Sequence, residues 1–272
     1  MSYEHLLYQV KSKICTITLN RPEVLNAVNS KLCTEVSEAL HAADRDESVN
    51  VIVLKGAGRA FCSGHDLKQD AEEPREIYAY YEHYKAEFDE FTTIWQITTP
   101  VIASVHGYCI GKGFEYAMMA DIAIVSEEVM LGLGEMRYGI PAITLTMPWK
   151  MGMNDAKEMV LGGIDIPAAE AKKRGMITTV CKRENLEKVT EKAARRLALM
   201  PRNMQKMHKA YLNRVYDRMG FWQANKDYLE ILAILGTQTV PEYEKFSKTT
   251  QEKGLRAALA EANAPFDALE NE

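Results

Sequence analysis

The strongest constraint on the fold is a repeated order of strand, glycine turn and helix in the first half of the chain. Short apolar runs typical of buried strands occur at residues 51–54, 101–105 and 122–125. The first two run directly into glycine-marked turns, and residues 113–120 form a predicted short helix before the third. This alternation predicts an α/β fold with parallel strand pairing.

The remaining elements divide the chain into two regions. Alternation predicts a strand at residues 14–19, and apolar spacing predicts helices at 30–43, with Asn29 or Ser30 as cap, and at 72–95. No strand is predicted after about Arg183. Three further helices are predicted there, at residues 186–199, 205–235 and 241–263. We therefore predict a core at residues 1–200 and a helical region at residues 201–272.

Charge and composition exclude several classes of protein. The 272 residues carry a net charge of −5 without a basic cluster, which argues against nucleic-acid binding. No apolar stretch approaches the roughly 20 residues that span a bilayer, and no secretory signal is expected at the N-terminus. The five cysteines are widely spaced, and neither CxxC nor HExxH occurs. We expect free thiols in the cytoplasm and no metal site.

Two glycine-marked turns follow buried strands, where α/β proteins place their chemistry. They are residues 55–67, KGAGRAFCSGHDL, and residues 107–115, GYCIGKGFE. Gly56 and Gly58 begin a GxG pattern, but Phe61 occupies the position of the third glycine. No GK[ST] follows either. The turns are therefore neither a dinucleotide fingerprint nor a Walker loop.

Two glutamates are candidate catalytic groups. Glu115 lies in the first turn of the helix after the second glycine turn, beside backbone amides that suit an anionic oxygen. Glu135 lies in LGLGEMRYGIP, among glycines and apolar residues. Position alone does not decide the role of either residue, since a glutamate at the place of Glu115 also complements a helix dipole and Glu135 also fits a surface loop.

Five segments, in order and over nearly the whole chain, resemble the crotonase superfamily, which contains the enoyl-CoA hydratases. LNRPEVLNAV resembles the family's opening signature, and AGRAFCSGHDL resembles its first oxyanion loop. PVIASVHGYCIGKGFEYAMMADIAI resembles the second oxyanion loop and helix. LGLGEMRYGI is similar to the segment with the second catalytic glutamate, and IPAAEAKKRGMITTV to a later helix–strand unit.

The resemblance implies a fold and an activity. The fold would be a spiral of repeated ββα units with C-terminal helices that assemble trimers or hexamers. Glu115 and Glu135 match the two glutamates of the hydratases, and retaining both implies an enoyl-CoA hydratase of fatty acid metabolism. The backbone amides of His65 and Lys112 would form the oxyanion hole. No cofactor is implied beyond the coenzyme A of the substrate.

The resemblance also implies a coenzyme A site near two loops. Its residues would be Val24, Leu25, Ser63, Gly64, His65, Asp66 and Leu67. Three positions depart from the family pattern: His65 and Lys112 replace the usual alanine and glycine, and Glu23 replaces a lysine found near the coenzyme phosphates in some members. We expect Lys112 to act through its amide. The acyl pocket is less clear, and the tyrosines around residues 78–84 either line it or serve packing.

Three alternatives remain at this point. The first is a double-bond isomerase or acyl-CoA hydrolase of the same superfamily. The second is a thiol hydrolase using Cys62 with His65 and Asp66, although three residues so close in sequence form a poor dyad. The third is a binding or scaffold protein that has lost catalysis, against which the two retained glutamates argue.

Overall fold

The computed structural model describes residues 3–67, 76–238 and 240–270. Its larger sheet has six strands in the spatial order β1-β2-β3-β4-β6-β9. All neighbouring pairs are parallel except the antiparallel pair β1–β2. The strands are β1 (Leu6–Lys11), β2 (Ile14–Leu19), β3 (Val51–Gly56), β4 (Val101–Val105), β6 (Ile122–Ser126) and β9 (Thr179–Cys181).

A smaller sheet of three short strands lies beside the larger one. It consists of β5 (Cys109–Ile110), β7 (Met130–Gly132) and β8 (Ile166–Pro167), in the order β5-β7-β8. The sequence did not indicate this sheet, because strands of two or three residues are too short to show a hydrophobic period. Its first strand belongs to the second glycine turn, and its second strand leads towards Glu135. The small sheet therefore places the two candidate glutamates near each other.

Helices surround the sheets and form most of the last third of the chain. They are α1 (Ser30–Arg45), α2 (Ile77–Phe91), α3 (Thr93–Gln96), α4 (Lys112–Met119), α5 (Met147–Lys150), α6 (Met153–Gly162), α7 (Ala168–Lys173), α8 (Leu186–Ala198), α9 (Arg202–Arg218), α10 (Phe221–Thr237), α11 (Pro241–Lys253) and α12 (Leu255–Glu270). Short 3₁₀ turns occur at Pro22–Val24, Gly134–Tyr138 and Arg183–Asn185. No described helix is both long and apolar enough to cross a membrane.

Burial in the core explains why the predicted apolar runs form strands. Every residue of β4 is buried, as expected for a strand covered on both faces. One face of the larger sheet packs against α1, which places Leu32, Val36 and Leu40 in the main core. Asn29 is the N-cap of α1, since its side chain accepts a hydrogen bond from the amide of Leu32 at 2.8 Å.

Three predicted helices are divided in the structure. The described part of the helix predicted at residues 72–95 divides at Thr92 into α2 and α3, and its first four residues lie outside the described ranges. The prediction for residues 205–235 is wrong at Gly220, where φ is +89°, and that for 241–263 is wrong at Gly254, where φ is +86°. Apolar spacing continues across each break, so the periodicity does not reveal it. A positive φ favours glycine and ends a helix.

The C-terminal helices pack on the elements that carry the site. Helix α10 lies along α2, and Leu229, Leu232 and Ala233 pack with Tyr80 and Tyr84. Helices α11 and α12 pack on the 3₁₀ turn Gly134–Tyr138. The last third of the chain therefore covers the glutamate-bearing segments.

Candidate active site

The two glycine turns predicted to carry chemistry are hydrogen-bonded to each other. The amide of Phe61 donates to the carbonyl of His106 at 2.7 Å, and that of Cys62 donates to the carbonyl of Tyr108 at 3.0 Å. Gly113 permits this approach, because a Cβ there would lie 2.5 Å from the carbonyl oxygen of Cys62. One rigid unit therefore holds the start of α4 against the first turn.

Helix α4 places Glu115 inside the protein. The glutamate is in the first helical turn and its residue is only 2 % exposed. Its Oε1 atom accepts hydrogen bonds from the backbone amide of Thr144 and, at 2.8 Å, from the Thr144 hydroxyl. These two donors fix the position of the carboxyl group.

Glu135 reaches the same place from the 3₁₀ turn Gly134–Tyr138. Its carboxyl group lies against Gly111, where a Cβ would be 3.2 Å from the carboxyl carbon. Gly111 has φ +52° and caps the N-terminus of α4, so both its conformation and its lack of a side chain are required here. The carboxyl group of Glu135 therefore lies at the start of the helix that carries Glu115.

Both carboxyl groups have raised pKa values. Burial raises the pKa of Glu115 to about 7, even though the hydrogen bonds from Thr144 and the charge of Lys112 act in the opposite direction. Burial also raises the pKa of Glu135 well above its usual range, and the charge of Glu115 adds to that rise. Two neighbouring carboxyl groups with different proton affinities are the arrangement required for paired acid and base catalysis.

The two predicted oxyanion residues line the same cavity as the glutamates. Lys112 is the first residue of α4, so its amide has no carbonyl partner within that helix. His65 forms a parallel bridge with Val28, and the flanking Gly64 and Asp66 make the bridging hydrogen bonds. Because peptide groups alternate along an extended segment, the amide of His65 points away from Val28. The geometry supports two backbone donors from different turns, as the resemblance implied.

The Lys112 side chain is buried and has its own partner. Its Nζ atom contacts Oε1 of Glu87 on α2, and both side chains are nearly inaccessible. Burial would lower the pKa of Lys112, but the charge of Glu87 raises it above its ordinary value. The lysine at this unusual position is therefore a charged group that connects α4 to α2.

The residues predicted to bind coenzyme A lie in two adjoining loops. The Ser63 amide donates to the Leu25 carbonyl at 3.1 Å, and the Ser63 hydroxyl lies 3.4 Å from the Val24 carbonyl. Leu25 has φ +56°, which turns this loop sharply. Asp66 forms an ion pair with Arg21, in which Oδ2 of Asp66 lies 3.0 Å from a guanidinium nitrogen of Arg21. Glu23, the departure from the family pattern, is exposed in the first of these loops.

A cavity of about 50 Å³ is lined by both glutamates and by the two predicted oxyanion-hole residues, His65 and Lys112. Among the tyrosines of α2, Tyr84 lines the cavity, whereas Tyr78 is largely exposed. Tyr80 and Tyr84 also pack against α10, so the cluster serves both packing and the cavity wall. The lining residues are Ser63, Gly64, His65, Leu67, Tyr84, Ile110, Gly111, Lys112, Glu115, Glu135, Tyr138, Ile140, Pro141, Ala142 and Ile143.

The structure does not favour the thiol hydrolase. Cys62 is fully buried beneath Gly113, and burial raises the pKa of its thiol to about 12. A buried thiol with so high a pKa is a poor nucleophile at neutral pH. In the described part of the chain, no cluster of acidic, cysteine or histidine residues could hold a metal ion.

Sequence reasoning missed two residues that position Glu115. Thr144 donates to its carboxylate, and the next amide, that of Leu145, donates to Oδ1 of Asn225 at 3.0 Å. Asn225 is buried on α10, and its Nδ2 atom donates to the Phe221 carbonyl at 2.9 Å. Neither residue lies in a recognisable motif, because their roles depend on contacts between segments distant in sequence.

Known proteins share this sequence and this architecture. A family model described as enoyl-CoA hydratase/isomerase matches residues 9–231. A probable enoyl-CoA hydratase of Rhizobium meliloti is 34% identical, over 98% of this chain and 99% of the relative. The mitochondrial enoyl-CoA hydratase of Pongo abelii is 29% identical, over 97% of this chain and 88% of the relative.

Solved structures give the same result for the fold. An enoyl-CoA hydratase/isomerase from Xanthobacter autotrophicus Py2 superposes with a TM-score of 0.93 at 32% identity, covering 97% of this chain and 99% of that one. An enoyl-CoA hydratase from Mycobacterium smegmatis has a TM-score of 0.89 at 27% identity, covering 96% and 94%. The predicted α/β fold and the predicted resemblance are confirmed: the chain belongs to the enoyl-CoA hydratase/isomerase family.

Proposed function

We propose that this chain is an enoyl-CoA hydratase in which Glu115 and Glu135 act together on one water molecule. The observation that carries the proposal is the pair of buried carboxyl groups in one cavity, where burial raises the pKa of Glu115 to about 7 and raises the pKa of Glu135 well above its usual range. Near neutral pH Glu115 is present in both its protonated and its ionised form, and the charge of an ionised Glu115 raises the pKa of Glu135 and so favours a protonated Glu135. One group can then accept a proton while the other donates one.

The proposed reaction adds water to a conjugated enoyl thioester. Glu115 accepts a proton from water as the water oxygen bonds to the β-carbon, and Glu135 gives its proton to the α-carbon. The amides of His65 and Lys112 stabilise the negative charge on the thioester oxygen, and each such donor is typically worth about 3 kcal/mol. A proton then returns from Glu115 to Glu135, directly or through solvent. Dehydration is the same path in reverse.

We propose that the coenzyme A part of the substrate is bound by Val24, Leu25 and the segment 63–67. Support comes from the hydrogen bonds that join these two loops beside the cavity. Since two carboxyl groups and two amides supply proton transfer and charge stabilisation, we expect no separate cofactor and no metal.

Assembly and location are further parts of the proposal. We propose that residues 201–272 assemble the chain, with its core at residues 1–200, into trimers or into hexamers made of two trimers. Apolar side chains of α9, including Met207, Tyr211 and Leu212, are exposed and support an interface there. The five cysteines are all free thiols, which supports a cytoplasmic location.

The test is a panel of enoyl-CoA and hydroxyacyl-CoA thioesters. Hydration of crotonyl-CoA should remove the ultraviolet absorbance of the conjugated thioester and add the mass of one water. A product of unchanged mass would indicate an isomerase, and release of free coenzyme A would indicate a hydrolase. No turnover across the panel would support the scaffold alternative.

A further inference from the structure

An ion pair lies directly behind the cavity wall, where the surroundings of an acyl pocket are expected to be apolar. Lys112 lines the cavity, and its ammonium group contacts Glu87 of α2. Glu87 lies three residues after Tyr84, another lining residue, and therefore on the same face of the helix. The carboxyl group of Glu87 consequently lies next to the wall formed by Lys112 and Tyr84.

Only one oxygen of this carboxylate has a donor. Oε1 accepts from Lys112, but within the described residues no group donates a hydrogen bond to the buried Oε2 atom. Burial would raise the pKa of Glu87, yet the charges of Lys112 and His65 lower it below its usual value, so the group is ionised. A buried ionised oxygen without a donor is unfavourable, and a ligand that supplies the donor would gain affinity.

We propose that the acyl group of the substrate is short and carries a hydroxyl group, which donates to Oε2 of Glu87. This inference rests on the proposed function in assuming that an acyl-CoA thioester occupies the cavity. A cationic substituent would face the Lys112 ammonium, and an anionic one would face the Glu87 carboxylate. A neutral hydroxyl suits both members of the pair.

The size of the cavity supports a short acyl group. Its volume is about 50 Å³, whereas one water molecule needs at least about 10–15 Å³ by the same measure. Room for roughly three to five water-sized groups fits a few carbons and one hydroxyl. Beyond it, Tyr84 and Ile143 pack with Leu229 and Leu232 in a closed apolar cluster.

The experiment compares pairs of saturated thioesters of matched size by calorimetry. In each pair a terminal hydroxyl replaces a methyl group: 4-hydroxybutanoyl-CoA against pentanoyl-CoA, and 5-hydroxypentanoyl-CoA against hexanoyl-CoA. Neither hydroxyl lies on the β-carbon, so neither thioester is a product of the proposed hydration. We expect at least one hydroxylated member to bind roughly tenfold tighter than its partner, as for a hydrogen bond to a charged group. Equal or weaker binding of both hydroxylated thioesters would overturn the proposal.

Variants assign the preference to the ion pair. Glu87→Leu with Lys112→Met replaces the pair by apolar groups of similar size, which is often tolerated in a protein core. It should abolish the hydroxyl preference. Glu87→Gln, a milder change that retains a partner for Lys112, should reduce it at least threefold and serves if the double variant does not fold. Glu90→Gln is the control, since this carboxylate on the same helix binds the Thr34 hydroxyl instead. A preference that survives in the folded Glu87 variants would contradict the proposal.

The readout is independent of the proposed reaction. Hydration of crotonyl-CoA is measured separately, so a hydratase without a hydroxyl preference would refute this inference alone. Conversely, binding preference without any hydration would refute the proposed reaction and leave the hydroxyl site intact.

Discussion

The burial of individual carboxyl groups in the cavity has a cost in stability. Glu115 is buried, and its carboxyl group ionises near pH 7 instead of near its ordinary 4.5. Thr144 supplies the only two hydrogen bonds described for that carboxyl group. The site therefore keeps a carboxyl group whose charge the fold accommodates poorly, which is common at functional sites.

The first prediction concerns turnover. Glu115→Gln and Glu135→Gln preserve side-chain size and remove the acid–base function. Each should lower the turnover number for crotonyl-CoA by roughly 10²- to 10⁴-fold, while thioester binding changes little. The double variant should be only slightly slower than the slower single variant, because groups that act as a unit are not additive. An isomerase with a single base would instead tolerate one of the two substitutions.

The second prediction concerns stability and pH. Between about pH 4.5 and 7 the folded protein holds a proton on Glu115 that the unfolded chain has lost. This group's contribution therefore lowers the free energy of unfolding as pH rises through that window. Glu115→Gln removes this effect. The free energy of unfolding of the variant, relative to that of the wild type, should therefore rise by up to about 3 kcal/mol between pH 4.5 and pH 7. Urea unfolding at several pH values measures the difference. A difference that is constant from pH 4.5 to 7 would contradict the raised pKa.

At the scale of elements, α10 helps to position Glu115, a proposed catalytic group that the helix does not contain. The side chain of Asn225 accepts a hydrogen bond from the Leu145 amide. It therefore holds the loop from which Thr144 donates to the carboxyl group of Glu115. A small displacement of a reacting group has a large effect on rate. We therefore predict that α10 contributes to catalysis as well as to packing.

Asn225→Leu tests this role. We expect turnover of crotonyl-CoA to fall about tenfold with little change in KM. The acid limb of the pH–rate profile should also move to higher pH, because the Thr144 donors lower the pKa of Glu115. Gln223→Leu is the control, since Gln223 on the same helix is exposed and bonds only to Asp227 among the described side chains. A pH profile identical to that of the wild type would argue for a purely structural role.

Asp44 joins three elements near the C-terminal end of α1. Its Oδ1 atom accepts from the amides and hydroxyls of Thr98 and Thr99, just before β4, and pairs with Lys206 of α9 at 3.0 Å. Although burial acts in the opposite direction, the bonds with Thr99 and Lys206 lower the pKa of Asp44 to about 2. Its stabilising effect is therefore complete above about pH 4 and is lost as pH falls towards 2.

Asp44→Asn should lower the free energy of unfolding by about 2 kcal/mol at neutral pH. The difference from the wild type should shrink between about pH 4 and pH 2. Chemical unfolding across this range provides the measurement, with Glu47→Gln, at an exposed neighbouring carboxylate, as control. An unchanged difference at low pH would show that the ionised form is not responsible.

The sequence predicted elements better than it predicted their ends and their partners. Strand β2 and the start of α1 at Asn29 follow from alternation and capping, which are local properties. The breaks at Gly220 and Gly254 were missed because apolar spacing continues through them. Glu115 and Glu135 were found through motifs, whereas Glu87 and Asn225 act through contacts across more than 20 residues of sequence.

For the whole molecule, the exposed apolar surface of the C-terminal helices predicts assembly. Met204, Met207 and Tyr211 of α9 are more than half exposed, and Ile231 of α10 is also exposed. Apolar patches of this kind commonly mark protein–protein contacts. The predicted trimer would cover them.

Light scattering at micromolar concentration should give the mass of three or six chains of 30.7 kDa. Met207→Glu with Tyr211→Glu places charges on the exposed face and should reduce the mass towards that of one chain. Lys206 is left unchanged, since it pairs with Asp44 within the chain. A wild-type protein that remains monomeric at this concentration would contradict the prediction.

The bond between Leu145 and Asn225 also has a consequence for biosynthesis. Asn225 follows Glu115 by 110 residues, so a ribosome adding about 5–20 residues each second completes the support of Glu115 on the order of ten seconds after making it. The emerging core can form its sheets during that interval, while the loop that carries Thr144 still lacks its contact with Asn225. The nascent chain therefore passes through a period in which the support of Glu115 is incomplete, and that support is completed only when the last third of the chain docks.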